Sequence, residues 1–173
     1  MPDLERLKTA LERNRKAISL RPSIGQGIAV TKVRLRGGVT CDIEDGGWKL
    51  VADEGKNDGG NGEGPDPGVF GRAALGSCLA MGYAQWAALL DIPITSVEVE
   101  IHADYDARGM FGLDDSVAPG WGAVRYVVAI ESPAPEADVR RLLDHADRYS
   151  PLLDDFRRAL PVEREVRIRA PAG

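Results

Sequence analysis

The stretch GPDPGVFGRAALGSCLAMGYAQWAALL, residues 64–90, decides the fold. Asp66 is placed to cap the free amides at a helix start, and Pro67 has the backbone angle preferred at the first helical position. The stretch therefore predicts a helix from Pro67 to about Leu90. Because this helix is apolar on nearly all sides, we expect other elements to surround it and make it the core of the fold.

The residues before this helix predict an arm, a small sheet and a loop. Apolar residues recur at helical spacing in residues 1–20, which predicts an amphipathic helix within an N-terminal arm, residues 1–27. Residues 31–52 alternate apolar and polar side chains between glycine turns, which predicts a three-stranded meander. Residues 53–64 are acidic and glycine-rich, so we expect a mobile loop.

The residues after the helix mix strands and helices. Residues 96–106 alternate strictly, with Val97, Val99 and Tyr105 on one face and acidic side chains on the other, which predicts a half-solvated strand. Further predicted elements are strands at 123–131 and 162–168, a helix after Pro135 that breaks at Pro151, and a short helix at 152–159. This order indicates an α+β fold, with residues 28–173 forming one domain.

Composition excludes several classes of function. The chain has 173 residues, 43% of them hydrophobic, and a net charge of −5, which suits one soluble domain and argues against nucleic acid as a partner. The most apolar stretch, residues 69–90, is rich in alanine and glycine and predicts a buried helix rather than a membrane span. Two cysteines and no secretory signal lead us to expect a reducing cytoplasm.

Cys78 is the residue on which chemistry depends. It lies near the middle of the predicted helix, where the helix dipole does little to stabilise a thiolate, so any reactivity requires a charged neighbour from elsewhere. A lone cysteine in a helix is more often a small buried apolar residue. The local sequence alone leaves both interpretations open.

Three segments together resemble a known family. The proline-capped, alanine-rich stretch that ends in Gly76-Ser77-Cys78, the strand that follows it, and Ala146-Asp147-Arg148-Tyr149-Ser150-Pro151 are similar to the OsmC/Ohr superfamily, over about residues 28–169. The resemblance implies an intertwined homodimer in which long central helices pack against curved antiparallel β-sheets, with active sites at the subunit interface. It also implies that a thiolate at Cys78 reacts with peroxide and that a second cysteine then forms a disulfide with it.

The sequence departs from this family at two positions. Ser150 stands where the family has its second cysteine, so Cys78 lacks a resolving partner there. Gly68 stands ten residues before Cys78, where the hydroperoxide reductases place a carboxylate that orients an arginine towards the thiolate. Cys41 is predicted on the apolar face of the meander, and its pairing geometry cannot be deduced from sequence.

The remaining candidates are positively charged residues and two imidazoles. Three arginines are candidates for a positive charge that stabilises the Cys78 thiolate: Arg34, Arg36 and Arg72. His102 lies on an acidic strand face that is typical of a solvated surface, and His145 lies five residues before Ser150. We expect no metal site and no cofactor, and the absence of a nucleophile and base pattern argues against hydrolase chemistry.

Two functions remain open at this stage. The first is a peroxidase that reduces organic hydroperoxides through Cys78, with an external thiol as the reductant. The second is a dimer without catalysis that holds a small hydrophobic ligand in an apolar pocket near Cys78, formed by Phe70, Met81 and Trp86. The missing second cysteine and carboxylate favour binding, whereas the thiol at position 78 favours the enzyme.

Overall fold

The long helix expected from residues 64–90 is α2, Pro67–Leu89, in a computed structural model that describes residues 4–170. Asp66 caps it as expected, because the Val69 amide donates to Asp66 Oδ1 at 3.0 Å. The buried side chains of α2 are Leu75, Leu79, Tyr83, Ala87 and Ala88. Leu75, Leu79, Tyr83 and Ala87 recur every four residues on one side of the helix, whereas Ala88 is buried on another side near the helix end. The described chain therefore covers α2 on the first side and leaves the opposite side open from Val69 to Gln85.

The predicted meander is present as an antiparallel sheet in the order β1-β2-β3. Its strands are β1, Lys32–Gly37, β2, Thr40–Asp45, and β3, Trp48–Ala52. Both turns contain a glycine with positive φ, Gly38 and Gly46, which is a conformation that residues with a Cβ rarely adopt. The sheet leaves large apolar side chains exposed: Val33, Leu35, Trp48 and Leu50.

A second antiparallel sheet packs on α2. It consists of β4, Ser96–Asp104, and β5, Ala123–Glu131, in continuous register from Ser96 opposite Glu131 to Asp104 opposite Ala123. Gly76 lets α2 approach this sheet closely, since a Cβ there would lie 3.3 Å from the Ile101 side chain. Val97, Val99 and Ile101 face the core as predicted. Tyr105 lies beyond the strand and is exposed, because β4 ends one residue earlier.

The remaining helices close the core and add the arm. After the single turn α3, Ala107–Met110, come α4, Glu136–Arg148, and α5, Pro151–Arg157, with the break at Pro151 as predicted. The arm is α1, Leu4–Leu20, which packs beside α2. Arg15 lies above the Trp86 ring of α2, and Lys8 Nζ lies 2.5 Å from Oδ1 of Asp91, just after the end of α2.

One expectation about the fold was wrong. Residues 162–168 form no strand in the structure, because their backbone groups find no sheet edge to pair with in this single chain. The acidic loop at 53–64 has a polar anchor: Asp53 is 2% exposed, and its carboxylate accepts the amides of Glu54, Asn61 and Glu63 at 2.9 to 3.1 Å. Burial favours the neutral acid, but these donors outweigh it and lower the pKa of Asp53.

Candidate functional site

Cys78 and Ser150 are brought into contact by the packing of α2 against α5. The Sγ of Cys78 is 3.6 Å from the Oγ of Ser150, although 72 positions separate the two residues in the chain. Cys78 is half-buried and Ser150 is 5% exposed. The serine therefore occupies the place from which a second cysteine would reach the sulfur of Cys78.

Ser150 is held in this position by its role as the N-cap of α5. Its Oγ accepts the Leu153 amide at 3.4 Å, which satisfies one of the free amides at the helix start. Because the oxygen already accepts this bond, its hydrogen is available to the sulfur of Cys78. The hydroxyl is thus able to donate a hydrogen bond to the thiolate but cannot form a disulfide with it.

The three arginines considered as thiolate partners lie elsewhere in the chain that the structure describes. Arg36 pairs with Glu63 and with Asp42, the latter at 3.7 Å. Arg34 lies opposite Asp42 in the meander. Arg72 is on α2, and its guanidinium lies 6.0 Å from the centre of the Trp121 ring. Within residues 4–170, Ser150 is the only side chain that forms a polar contact with Cys78.

Gly68, ten residues before Cys78, lies in a crowded polar environment. A Cβ at this position would meet Asp66 Oδ1 at 2.8 Å and Arg72 Nη1 at 3.2 Å. The carboxylate of the helix cap and the guanidinium of Arg72 therefore occupy the space beside the position at which the hydroperoxide reductases carry their acid.

The residues expected to form one apolar pocket are not brought together. Met81 lines an apolar groove of about 280 Å³ between α2 and the start of β4. Trp86 instead packs edge-on against His145 and beside Tyr149, with ring centres 4.3 and 5.2 Å apart. Phe70 lines neither of these sites. Met81 and Trp86 are five residues apart, which places them on different sides of a helix with 3.6 residues per turn.

A partly buried hydrogen-bond network next to the Cys78 and Ser150 pair was missed by the sequence analysis. Asp147 accepts the hydroxyl of Tyr83 at 2.7 Å and the hydroxyl of Tyr126 at 2.5 Å, which ties α2, β5 and α4 together. Burial and the Asp147 carboxylate raise the pKa of Tyr83, and the same causes raise the pKa of Tyr126 to about 12. A tyrosine at helical spacing inside an apolar stripe was the available signal for a buried hydroxyl that needs a partner.

Replacing Asp147 with alanine is expected to lower the free energy of unfolding by about 3 kcal/mol, because the Tyr83 hydroxyl then stays buried without an acceptor. Asp144→Ala, an exposed position on the same helix, should change stability by less than about 0.5 kcal/mol. Urea unfolding measures both. Equal stability losses in the two variants would show that the network contributes nothing.

The same network is expected to make the free energy of unfolding fall at alkaline pH. A pKa raised in the folded state means that the neutral tyrosine favours folding below its ordinary pKa of about 10. That contribution declines as the pH rises from about 10 towards 12, the pKa of Tyr126 in the fold.

The comparison with protein families decides the classification. The family model described as OsmC-like protein matches residues 60–165, more than half of the chain and including both Cys78 and Ser150. The chain belongs to the OsmC family. A comparison with curated proteins finds no match.

Solved structures with the OsmC fold are similar along most of their length. The OsmC-like protein from Mycoplasma pneumoniae has a TM-score of 0.65 at 14% identity, over 76% of this chain and 89% of that chain. The organic hydroperoxide resistance protein OsmC from Legionella pneumophila has a TM-score of 0.57 at 17% identity, over 76% and 90%. OhrB of Bacillus subtilis has a TM-score of 0.51 at 16% identity, over 76% and 91%. At these identities the likeness establishes the fold, which is α+β with antiparallel sheets as expected.

The other polar candidates of this OsmC-family chain lie apart from Cys78. Cys41 is a free thiol on β2, opposite Leu35 and Ala52. His102 lies 3.3 Å from Glu100 on β4, and residues 4–170 contain no group of histidine, cysteine and acidic side chains suited to a metal ion. In the same residues no helix has the length and hydropathy needed to span a membrane.

Proposed function

We propose that this OsmC-family protein is a thiol-dependent peroxidase that reduces organic hydroperoxides through Cys78 with an external thiol as reductant. The observation that carries the proposal is the contact between Cys78 and Ser150, because it pairs a half-buried thiol with a hydroxyl that donates hydrogen bonds and cannot form a disulfide. The chain belongs to the OsmC family, and two of the similar structures are named organic hydroperoxide resistance proteins. This supports organic hydroperoxides as the substrate class.

The proposed reaction uses the sulfur of Cys78 as the nucleophile. The thiolate attacks the distal oxygen of the hydroperoxide, the O–O bond breaks, and the alkoxide leaves and takes a proton to become an alcohol. Sulfur is oxidised by two electrons to a sulfenic acid while the peroxide is reduced. The Ser150 hydroxyl donates a hydrogen bond to the thiolate before attack.

An external thiol then completes the cycle. Its sulfur attacks Cys78, the S–O bond breaks, and water leaves, which gives a mixed disulfide. A second thiol attacks the external sulfur, so that Cys78 is released and a low-molecular-weight disulfide is the oxidised product. Cys41 lies on the meander, whereas Cys78 lies on α2. This separation supports a cycle in which no second cysteine of the chain forms a disulfide with Cys78.

The test is consumption of cumene hydroperoxide by the reduced protein, with and without added thiol, beside the Cys78→Ser variant. Turnover that depends on Cys78, together with an added oxygen atom or a mixed disulfide on that residue in the intact mass, supports the proposal. An unreacted thiol and no turnover overturn it.

A binding protein is the second candidate function. The apolar groove of about 280 Å³ beside Met81 favours it, because a groove of that size accepts a small apolar molecule. Saturable binding of an apolar probe by a protein whose Cys78 does not react with peroxide would identify this function. Both functions are proposed to operate in the cytoplasm, since both described cysteines are free thiols.

We also infer that the protein works as a homodimer. The open side of α2 presents an exposed stripe, one residue per turn, formed by Val69, Ala73, Ser77, Met81 and Gln85. Cys78 lies at the border of this stripe. The apolar face of the meander and the unpaired segment 162–168 are exposed as well. A second copy that covers these surfaces would satisfy the exposed apolar groups and the unpaired backbone together.

Met81→Arg is expected to weaken self-association by roughly a hundredfold or more, because it places an unpaired charge in the proposed interface. Ala137→Arg is the matched control, since it adds the same charge at an exposed position on α4. Light scattering after size exclusion measures the mass of each protein across concentrations. A wild-type monomer, or a Met81→Arg variant as dimeric as the control, would contradict the inference.

A further inference from the structure

A cleft of about 450 Å³ lies between α2, β5 and α5, on the chain's own surface and separate from the groove beside Met81. Its volume is in the range that holds small organic ligands. The side chains that form it are Leu75, Trp121, Val124, Tyr126, Leu153 and Phe156, with Arg157 at the end of α5.

One wall of the cleft is aromatic. Trp121 and Phe156 stack at 6.0 Å between ring centres, with 16° between their planes. The indole of Trp121 rests on Gly71, where a Cβ would lie 2.9 Å from the ring. Glycine at this position therefore leaves room for the edge of the indole ring against α2. Such a wall suits a planar or short acyl body of a ligand.

The other feature of the cleft is a guanidinium with no direct ion pair in the described residues, whose link to the Asp147 carboxylate runs through the Tyr126 hydroxyl. Arg157 forms no ion pair with a carboxylate within residues 4–170, and its polar neighbour is the hydroxyl of Tyr126. The adjacent Arg158 differs, because it pairs with Asp154 at 2.5 Å and with Asp155 at 3.4 Å. A guanidinium without a carboxylate partner beside an aromatic wall is the arrangement that binds a carboxylate with two parallel hydrogen bonds.

We propose that this cleft binds a small carboxylate with an aromatic or short acyl body, its charge on Arg157 and its body against Trp121 and Phe156. The floor of the cleft, Leu75 and Leu153, lies three residues from Cys78 on α2 and three residues from Ser150 on α5. Residues three apart are neighbours on one helix face, so the ligand is held about one helical turn from the thiol. The proposal concerns binding and does not require Cys78 to react.

The experiment compares three probes that share a body and differ in the head group: phenylbutyrate, phenylbutanol and phenylbutylamine. Each is titrated into the reduced full-length protein by calorimetry, with tryptophan fluorescence as the second readout because Trp121 lines the cleft. We expect phenylbutyrate to bind about tenfold more tightly than phenylbutanol and the amine to bind most weakly.

Arg157→Gln is expected to lower the affinity for phenylbutyrate to that for phenylbutanol. Arg158→Gln removes the same charge one residue later and should leave the preference intact, and Arg157→Lys should keep part of it. Three results would each overturn the proposal: no binding of any probe, equal binding of the acid and the alcohol, or the same loss of preference in both glutamine variants. None of these results depends on hydroperoxide turnover.

Discussion

Hydroperoxide consumption is expected to fall by roughly a thousandfold or more when Cys78 is replaced with serine, because the nucleophile of the proposed reaction is removed. Among residues 4–170, the side chain in polar contact with position 78 is the hydroxyl of Ser150, so a serine placed there meets no base in the described part of the chain. The serine that replaces Cys78 cannot form a sulfenic acid. The measurement is the initial rate with cumene hydroperoxide at saturating external thiol, with intact mass after the reaction.

Cys41→Ser is the matched control for this prediction. It removes the other thiol, which lies on β2 in the meander, and should leave the rate within about twofold of the wild type. Equal activity of Cys78→Ser and the wild type would rule out the proposed peroxidase. Loss of activity in Cys41→Ser alone would place the reactive sulfur on the meander and contradict the assignment of Cys78.

Replacing Ser150 with cysteine is expected to change how the oxidised protein is resolved. The two side chains are already in contact at 3.6 Å, so a thiol at position 150 lies within reach of a sulfenic acid on Cys78. Treatment with one equivalent of hydroperoxide should then produce an intrachain disulfide in place of a stable sulfenic acid. Both site thiols should disappear in a thiol assay while Cys41 stays reactive.

The reductant preference should change together with the disulfide. A protein disulfide is reduced efficiently by a dithiol, whereas the wild-type sulfenic acid reacts with simple monothiols. Loss of the serine cap costs about 1 kcal/mol at the start of α5, which is too little to unfold a stable domain. Ser96→Cys adds a thiol at an exposed position on β4 and should form no disulfide with Cys78. A Ser150→Cys protein that keeps three reactive thiols after oxidation would show that the two positions do not meet in solution.

The sequence by itself determined the elements whose signals are local. Asp66 and Pro67 marked the start of α2 because a cap acts on amides within one helical turn. The strands β4 and β5 were predicted from alternating apolar and polar side chains, and the meander was predicted from its glycine turns. Both signals are local, because side-chain alternation and turn geometry depend on neighbouring residues. The family resemblance was confirmed by the match at residues 60–165.

The tertiary structure alone decided which distant residues meet. Ser150 touches Cys78 because α5 packs on α2, and Asp147 joins two tyrosines from different elements, while Arg34 and Arg36 stay on the meander. The segment at 162–168 alternates like a strand yet remains unpaired in one chain, because a strand requires hydrogen bonds from a neighbour that its own sequence does not specify. Local periodicity fixes the kind of element, whereas contacts between elements depend on packing along the whole chain.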